Sequence, residues 1–253
     1  QDAGDFAKAA GWMALADTLK LALVLPQQRA ANNRGRCFNW FRPEDVRRGG
    51  GEAMSIRQML RHAAVRFGSD RKRVYVVGFS AGGAMAAALL AAYPAVFAAG
   101  AVVAGMPVGS ARTLAGAVLH MRRADTGQSR AQLAEAVRRA TDAAHRMTWP
   151  RLSVWQGGAD RTVNPENAEL LAAQWSALHG FGATPATDAI SGGVRRRGWG
   201  RPGRPVAVEL MTLEALGHAF PVASGGTPDD WVAAAGVDAT RRIAGFWGLL
   251  WGG

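Results

Sequence analysis

Cysteine is nearly absent from this chain of 253 residues, with Cys37 as its only example. A single cysteine excludes an internal disulfide and any cysteine-based zinc site. No histidine lies near it in sequence to act as a base, so Cys37 is expected to be buried rather than catalytic. Lysine is almost as scarce, confined to Lys8, Lys20 and Lys72, and the formal charge of +11 is therefore carried by arginines scattered along an alanine- and glycine-rich chain. Such scatter reads as compositional bias rather than as a polyanion-binding face. The densest run, Arg195-Arg196-Arg197 with Arg201 and Arg204, lies among Gly and Pro with Trp199 as its one aromatic. That composition predicts a solvated loop, since stacking on bases would want more aromatics, and no nucleic-acid partner is expected. No apolar run approaches the roughly 20 residues that a membrane-spanning helix needs, and residues 1–25 lack a basic-then-apolar leader, so no membrane partner is expected either.

What is present suits one sizeable core. At 49% hydrophobic content the chain is long enough to bury a single domain, residues 1–253, and too short to demand two. Residues 5–19 carry apolar side chains at helical spacing, and Leu21 to Leu25 form a short apolar run closed by Pro26, which predicts a buried strand. Residues 52–67 read as a helix and Val74 to Val77 as a β-branched strand. The helix expected over 83–92 stops at Tyr93-Pro94, and a strand is expected near 99–104. Residues 107–150 form an excursion with a helix at about 129–147, a candidate cap over the site. Strands at 152–155 and 206–213 and helices at 166–179 and 238–250 complete the pattern. Alternating strand and helix predict an α/β fold whose mostly parallel sheet is covered on both faces.

Gly78-Phe79-Ser80-Ala81-Gly82 matches G-x-S-x-G and lies between a strand and a helix. A serine hydroxyl is a poor nucleophile, so it must be pushed out on a tight turn where a base can reach it, and glycines on either side remove clashing side chains. The helix just after it aims its first amides at the place where negative charge develops in a tetrahedral intermediate, which makes Ala81 N–H the natural oxyanion donor. The order of such triads is serine, acid, histidine. Of the five histidines, His62 and His145 fall within expected helices, His120 lies in the excursion and His179 ends a helix. His218 alone comes after a strand in a short loop bounded by Gly217 and Pro221. Asp160, in Gly157-Gly158-Ala159-Asp160, occupies the matching place after an earlier strand, where a carboxylate would fix the imidazole tautomer. Asp188 and Glu214 are the alternatives as acid.

With these residues in view, the chain resembles the polyhydroxybutyrate-depolymerase family of esterases, which is related to feruloyl and acetylxylan esterases. The resemblance covers nearly the whole chain. It is carried by Cys37-Phe38-Asn39-Trp40-Phe41, by Val77 to Met85 around Ser80, by Tyr93-Pro94 to Pro107, by Trp149-Pro150-Arg151 leading to Asp160, and by Gly217-His218. It implies an α/β-hydrolase fold and hydrolysis of small or polymeric esters, as of short-chain hydroxyalkanoates or aryl alcohols, through an acyl-enzyme without metal or organic cofactor. It also implies an extracellular location, with a cytoplasmic one as the alternative. A non-catalytic remnant of the fold, or a peptidase or lipase built on it, are the rival readings, and the oligomeric state is left open.

The chain also departs from the family pattern. Gln156-Gly157 stands where members commonly carry His-Gly. The family's oxyanion loop, a His-Gly-Cys segment after an early strand, has no counterpart, and Gln1-Asp2 resembles the stretch immediately beyond that loop. The resemblance therefore implies an N-terminally truncated fragment lacking its first strands, one of which belongs between Leu21 to Leu25 and Val74 to Val77. Three consequences are expected: loss of the second oxyanion donor, worth about 10²- to 10³-fold in turnover; loss of a disulfide partner for Cys37; and an unfilled slot or exposed edge in the sheet.

Overall fold

The computed structural model describes residues 2–124, 127–141, 148–223 and 231–250. Two helices open the chain, α1 (Ala3–Ala9) and α2 (Trp12–Leu19), where the sequence pattern suggests one. The break falls at Gly11, whose φ of 81° no continuing helix can adopt. The short α3 (Pro43–Val46) and the long α4 (Gly51–Arg66) precede the first strand, β1 (Tyr75–Phe79), and the helix after it, α5 (Ala81–Ala92). Next come β2 (Ala99–Val103), α6 (Leu114–Arg122), α7 (Arg130–Ala140), β3 (Arg151–Gly157) and α8 (Glu166–Leu178). A hairpin of β4 (Thr187–Ser191) and β5 (Val194–Trp199), then β6 (Val208–Leu213), β7 (Phe220–Val222), β8 (Val232–Ala234) and α9 (Ala239–Phe246), complete the described order. The expected helix at 129–147 is observed as α7, and its last residues, 142–147, lie outside the described ones.

The main sheet runs β1-β2-β3-β6-β5-β4. Its first four strands are parallel, and β5 and β4 join antiparallel to them and to each other. Successive side chains of a strand point to opposite faces, and the parallel strands bury both. Val102, Leu152, Val154 and Leu210 face a core shared with Ala53 and Ile56 of α4, most of α5, Ala134 and Val137 of α7, and Leu171 and Trp175 of α8. Ala101, Val103, Trp155 and Met211 face a second core with Trp12 and Leu15 of α2 and Ile243 and Phe246 of α9. The expected α/β layering is thus observed, with a hydrophobic core on each side of the sheet.

Three local expectations are overturned. Leu21 to Leu25 is extended but forms no strand. Lys20, at φ 55°, ends α2 in the left-handed region, and the segment then runs past the open edge of β1 without meeting it. Among the described residues β1 pairs with β2 alone, and a cavity of about 1080 Å³ is lined by Leu21 to Leu25 on one side and Tyr75 to Phe79 on the other. A strand needs a hydrogen-bonding neighbour, and across that gap there is none among the described residues. Cys37 is exposed rather than buried, because the polar loop that carries it is held from below by its neighbours. Asn39 is buried and anchors the loop to Glu52, its N–H donating to Oε2 and its side-chain amide to Oε1, both at 2.8 Å, while Gln28 donates to Oε1 as well. Burial of Glu52 outweighs these donors and raises its pKa above the ordinary carboxylate value. Lastly, Arg195-Arg196-Arg197 belongs to β5 and not to a loop. Each arginine is paired with an acid: Arg195 with Asp188 at 2.7 Å, Arg196 with Glu209 at 2.9 Å, and Arg197 with Glu169.

Candidate active site

Ser80 is the residue at which β1 turns into α5. Its φ of 54° and ψ of −121° are a strained combination for a residue with a side chain, and its N–H is held by Val103 O at 2.9 Å. The chain folds back so closely that a methyl group added at Gly78 would lie 2.0 Å from Gly82 O. Only glycine can occupy position 78. Gly82 differs, since a methyl there would meet nothing within 4 Å; the expectation that both glycines relieve a clash holds for one of them. Ala81 contributes the first amide of α5, which has no acceptor within its own helix and is free to serve a developing anion.

The loops after β3 and β6 cross in contact. A methyl at Gly157 would lie 2.2 Å from Leu216 O, and the crossing is tied by Gly158 N–H to Leu213 O at 2.8 Å and Ala159 N–H to Leu216 O at 3.0 Å. This close approach brings together residues 58 positions apart. His218 Nδ1 lies 2.7 Å from Asp160 Oδ2, and its Nε2 lies 3.0 Å from Ser80 Oγ. A carboxylate can only accept, so Nδ1 carries the hydrogen and Nε2 is left as an acceptor facing the serine hydroxyl. The imidazole is held between rings, with Phe79 at 4.9 Å and Trp231 edge-on at 6.1 Å. Its side chain is 8% exposed, whereas that of Asp160 is wholly buried, so the histidine is the member of the pair that meets solvent.

Four donors converge on Asp160. Oδ1 accepts Thr162 N–H at 2.8 Å and Val163 N–H at 2.9 Å; Oδ2 accepts His218 Nδ1–H and, at 3.0 Å, Gln156 Nε2–H. Burial alone would raise the Asp160 pKa, but the bond from His218 and the two amides act the other way, and the net effect holds it below the ordinary carboxylate value. The alternative acids are differently engaged. Asp188 is bonded twice by Arg195 on the β4–β5 hairpin, and the Glu214 carboxylate packs beside Gly158, where a methyl would meet it at 2.9 Å. Of the other histidines, His62 is exposed on α4 and His179 is bonded to Pro150 O at 3.1 Å; His145 lies outside the described residues. Sequence patterns did not single out Trp231, because a turn tryptophan carries no motif. Gln156 was visible only as a departure from a family pattern.

A model of the family described as "Esterase PHB depolymerase" matches residues 1–201. The chain belongs to the PHB depolymerase esterase family. Among relatives of this family member, poly(3-hydroxyalkanoate) depolymerase C of Paucimonas lemoignei is 34% identical over 250 residues, 96% of this chain and 60% of that protein. Feruloyl esterase B of Thermothelomyces thermophilus is 32% identical over 189 residues, 73% of this chain and 62% of that protein. The chain therefore spans about three fifths of the length of these relatives. The solved acetyl xylan esterase from Aspergillus awamori superposes with a TM-score of 0.82 at 18% identity, covering 99% of this chain and 85% of that one, a likeness of fold.

Proposed function

We propose that the protein is a serine hydrolase of carboxylic esters, with Ser80 as nucleophile, His218 as general base and acid, and Asp160 as the group that orients and stabilises the imidazolium. The observation that supports this is a histidine whose two ring nitrogens lie within hydrogen-bond reach of Ser80 Oγ and of a buried carboxylate. His218 Nε2 takes the hydroxyl proton as Oγ attacks the ester carbonyl. Ala81 N–H donates to the oxyanion. The alcohol then leaves with the proton from Nε2, and water repeats the sequence on the acyl-enzyme. An apolar wall beside Ser80, formed by Phe6, Phe79 and Trp231, suits a short hydroxyacyl chain or an aryl group, and family membership favours such esters. We read α6 as the cover of this site, since Asn164 N–H and the Asn167 side chain, just past Asp160, bond to the carbonyls of Met121 and His120 at its C-terminal end.

The test is labelling with a fluorophosphonate probe alongside hydrolysis of p-nitrophenyl butyrate. Labelling and turnover that vanish in Ser80→Ala and His218→Ala are expected. A wild-type protein that is folded but neither labels nor turns over would make it a non-catalytic member of the fold; preference for long-chain esters or peptides would make it a lipase or peptidase.

A further inference from the structure

Gln156 lies on β3 immediately before the glycine at which the two loops cross, and it is buried. Its Nε2 is 3.0 Å from Asp160 Oδ2, 3.3 Å from Val163 O and 3.3 Å from Gly157 O. The reversed amide would set Oε1 against a carboxylate and two carbonyls with no hydrogen between them, so these neighbours fix Nε2 inward. Oε1 is thereby left buried and without a hydrogen-bond partner among the described residues. An unpaired buried amide oxygen is destabilising, so what favours glutamine at this position is what its Nε2–H does, and its shortest bond is to the Asp160 carboxylate.

We propose that Gln156 is a positioning residue for the acid–base pair, its amide N–H holding Asp160 Oδ2 in line with His218 Nδ1. The inference rests on the reading of Ser80, His218 and Asp160 as the reacting group. The two amides from Thr162 and Val163 fix Oδ1 alone, and a carboxylate held at one oxygen still swings about its Cβ–Cγ bond. A second donor on Oδ2 sets the plane. The other donor there among the described residues is the imidazole, whose Nδ1–H stays on the carboxylate while Nε2 takes up and releases a proton, but the imidazole is itself the group that the carboxylate has to orient. Gln156, anchored on β3, supplies a restraint on Oδ2 that is independent of the ring.

Gln156→Leu and Gln156→Glu test this, with kcat, KM and melting temperature measured for each. In Gln156→Leu, kcat is expected to fall about tenfold or more, on the scale of one hydrogen bond to a charged group, with KM unchanged and the protein still folded at the assay temperature. Gln156→Glu preserves the shape and sets a second carboxyl beside Asp160. Protonated, that carboxyl donates as the amide does; ionised, it repels Asp160. The other titratable groups about this pair are His218 and Glu214, present in both proteins, so kcat of Gln156→Glu relative to wild type is expected to fall as pH rises. A leucine variant with wild-type kcat, or a glutamate variant whose pH profile follows the wild type, overturns the proposal. Failure of the wild-type protein to label with fluorophosphonate overturns the underlying reading instead, and the two failures are distinct.

Discussion

Replacing Asp160 by asparagine exchanges one carboxylate oxygen for an NH₂ group and turns half of an acceptor into a donor. The side chain receives four hydrogen bonds, two from backbone amides on Oδ1 and two, from His218 and Gln156, on Oδ2. An asparagine that keeps its oxygen toward Thr162 and Val163 points its NH₂ at two further donors; turned over, it points the NH₂ at two backbone amides instead. Neither orientation satisfies all four. The first is relieved if His218 changes tautomer, accepting at Nδ1 and carrying its hydrogen on Nε2, where it faces Ser80 and cannot remove the hydroxyl proton. A wrong tautomer in an intact serine triad costs about 10⁴ in kcat, on the order of 5 kcal/mol of barrier. Initial rates on p-nitrophenyl butyrate at neutral pH measure this, with KM expected to change little. A variant within about tenfold of wild type would refute the assignment, since loss of one hydrogen bond suffices for that. Stability gives a second reading. The Asp160 pKa is held below its ordinary value, so the stabilisation it provides is complete above the unfolded-state value of about 3.9 and is lost as pH falls through the lower folded-state value. The difference in melting temperature between wild type and Asp160→Asn should therefore shrink below about pH 4.

Two further perturbations come from the packing. Gly78→Ala forces a methyl to 2.0 Å from Gly82 O and should cost more than about 4 kcal/mol, enough to prevent recovery of folded protein. Gly82→Ala enters open space on the first turn of α5 and should stabilise by up to about 1 kcal/mol in thermal or urea unfolding. Equal effects of the two substitutions would contradict the turn geometry. His179 is held below its ordinary pKa, chiefly by burial, against the opposing bond from its ring to Pro150 O. The unfolded chain therefore binds a proton more readily than the folded one, and stability should fall as pH drops below about 6.5. His179→Asn should lose less melting temperature than wild type between pH 7 and pH 5.

The reading of Ser80, Asp160 and His218 could be made from the sequence because each comes after a strand rich in apolar residues, and because the glycines around them mark turns. At Gly78 and Gly157 backbone passes within touching distance of backbone, and both stand out as glycines beside the residues of the proposed triad. The β4–β5 hairpin was illegible for the opposite reason. Its strands carry Asp188, Arg195, Arg196 and Arg197 on a largely exposed surface, so charge pairing rather than alternating hydrophobicity stabilises them, and a periodicity argument has nothing to detect. Leu21 to Leu25 misled by composition. Five apolar residues describe a buried segment equally well whether or not a neighbouring strand is there to bond it. Gln156 shows a further limit: its importance lies in where an amide hydrogen points, and a letter in a sequence does not say.

The side of β1 away from β2, unpaired among the described residues, leaves a ladder half built beside Ser80, the proposed nucleophile. Val74 to Val77 is uncharged and β-branched at three of four positions, so it offers any extended chain both hydrogen bonds and an apolar groove, and carries none of the lysines or prolines that usually deter such visitors. Strand addition there would reach the elbow at Ser80 directly. Colloidal behaviour and the geometry of the proposed site are consequently linked through the five residues of β1: whatever zips onto that margin, another molecule included, alters the floor beneath Ser80.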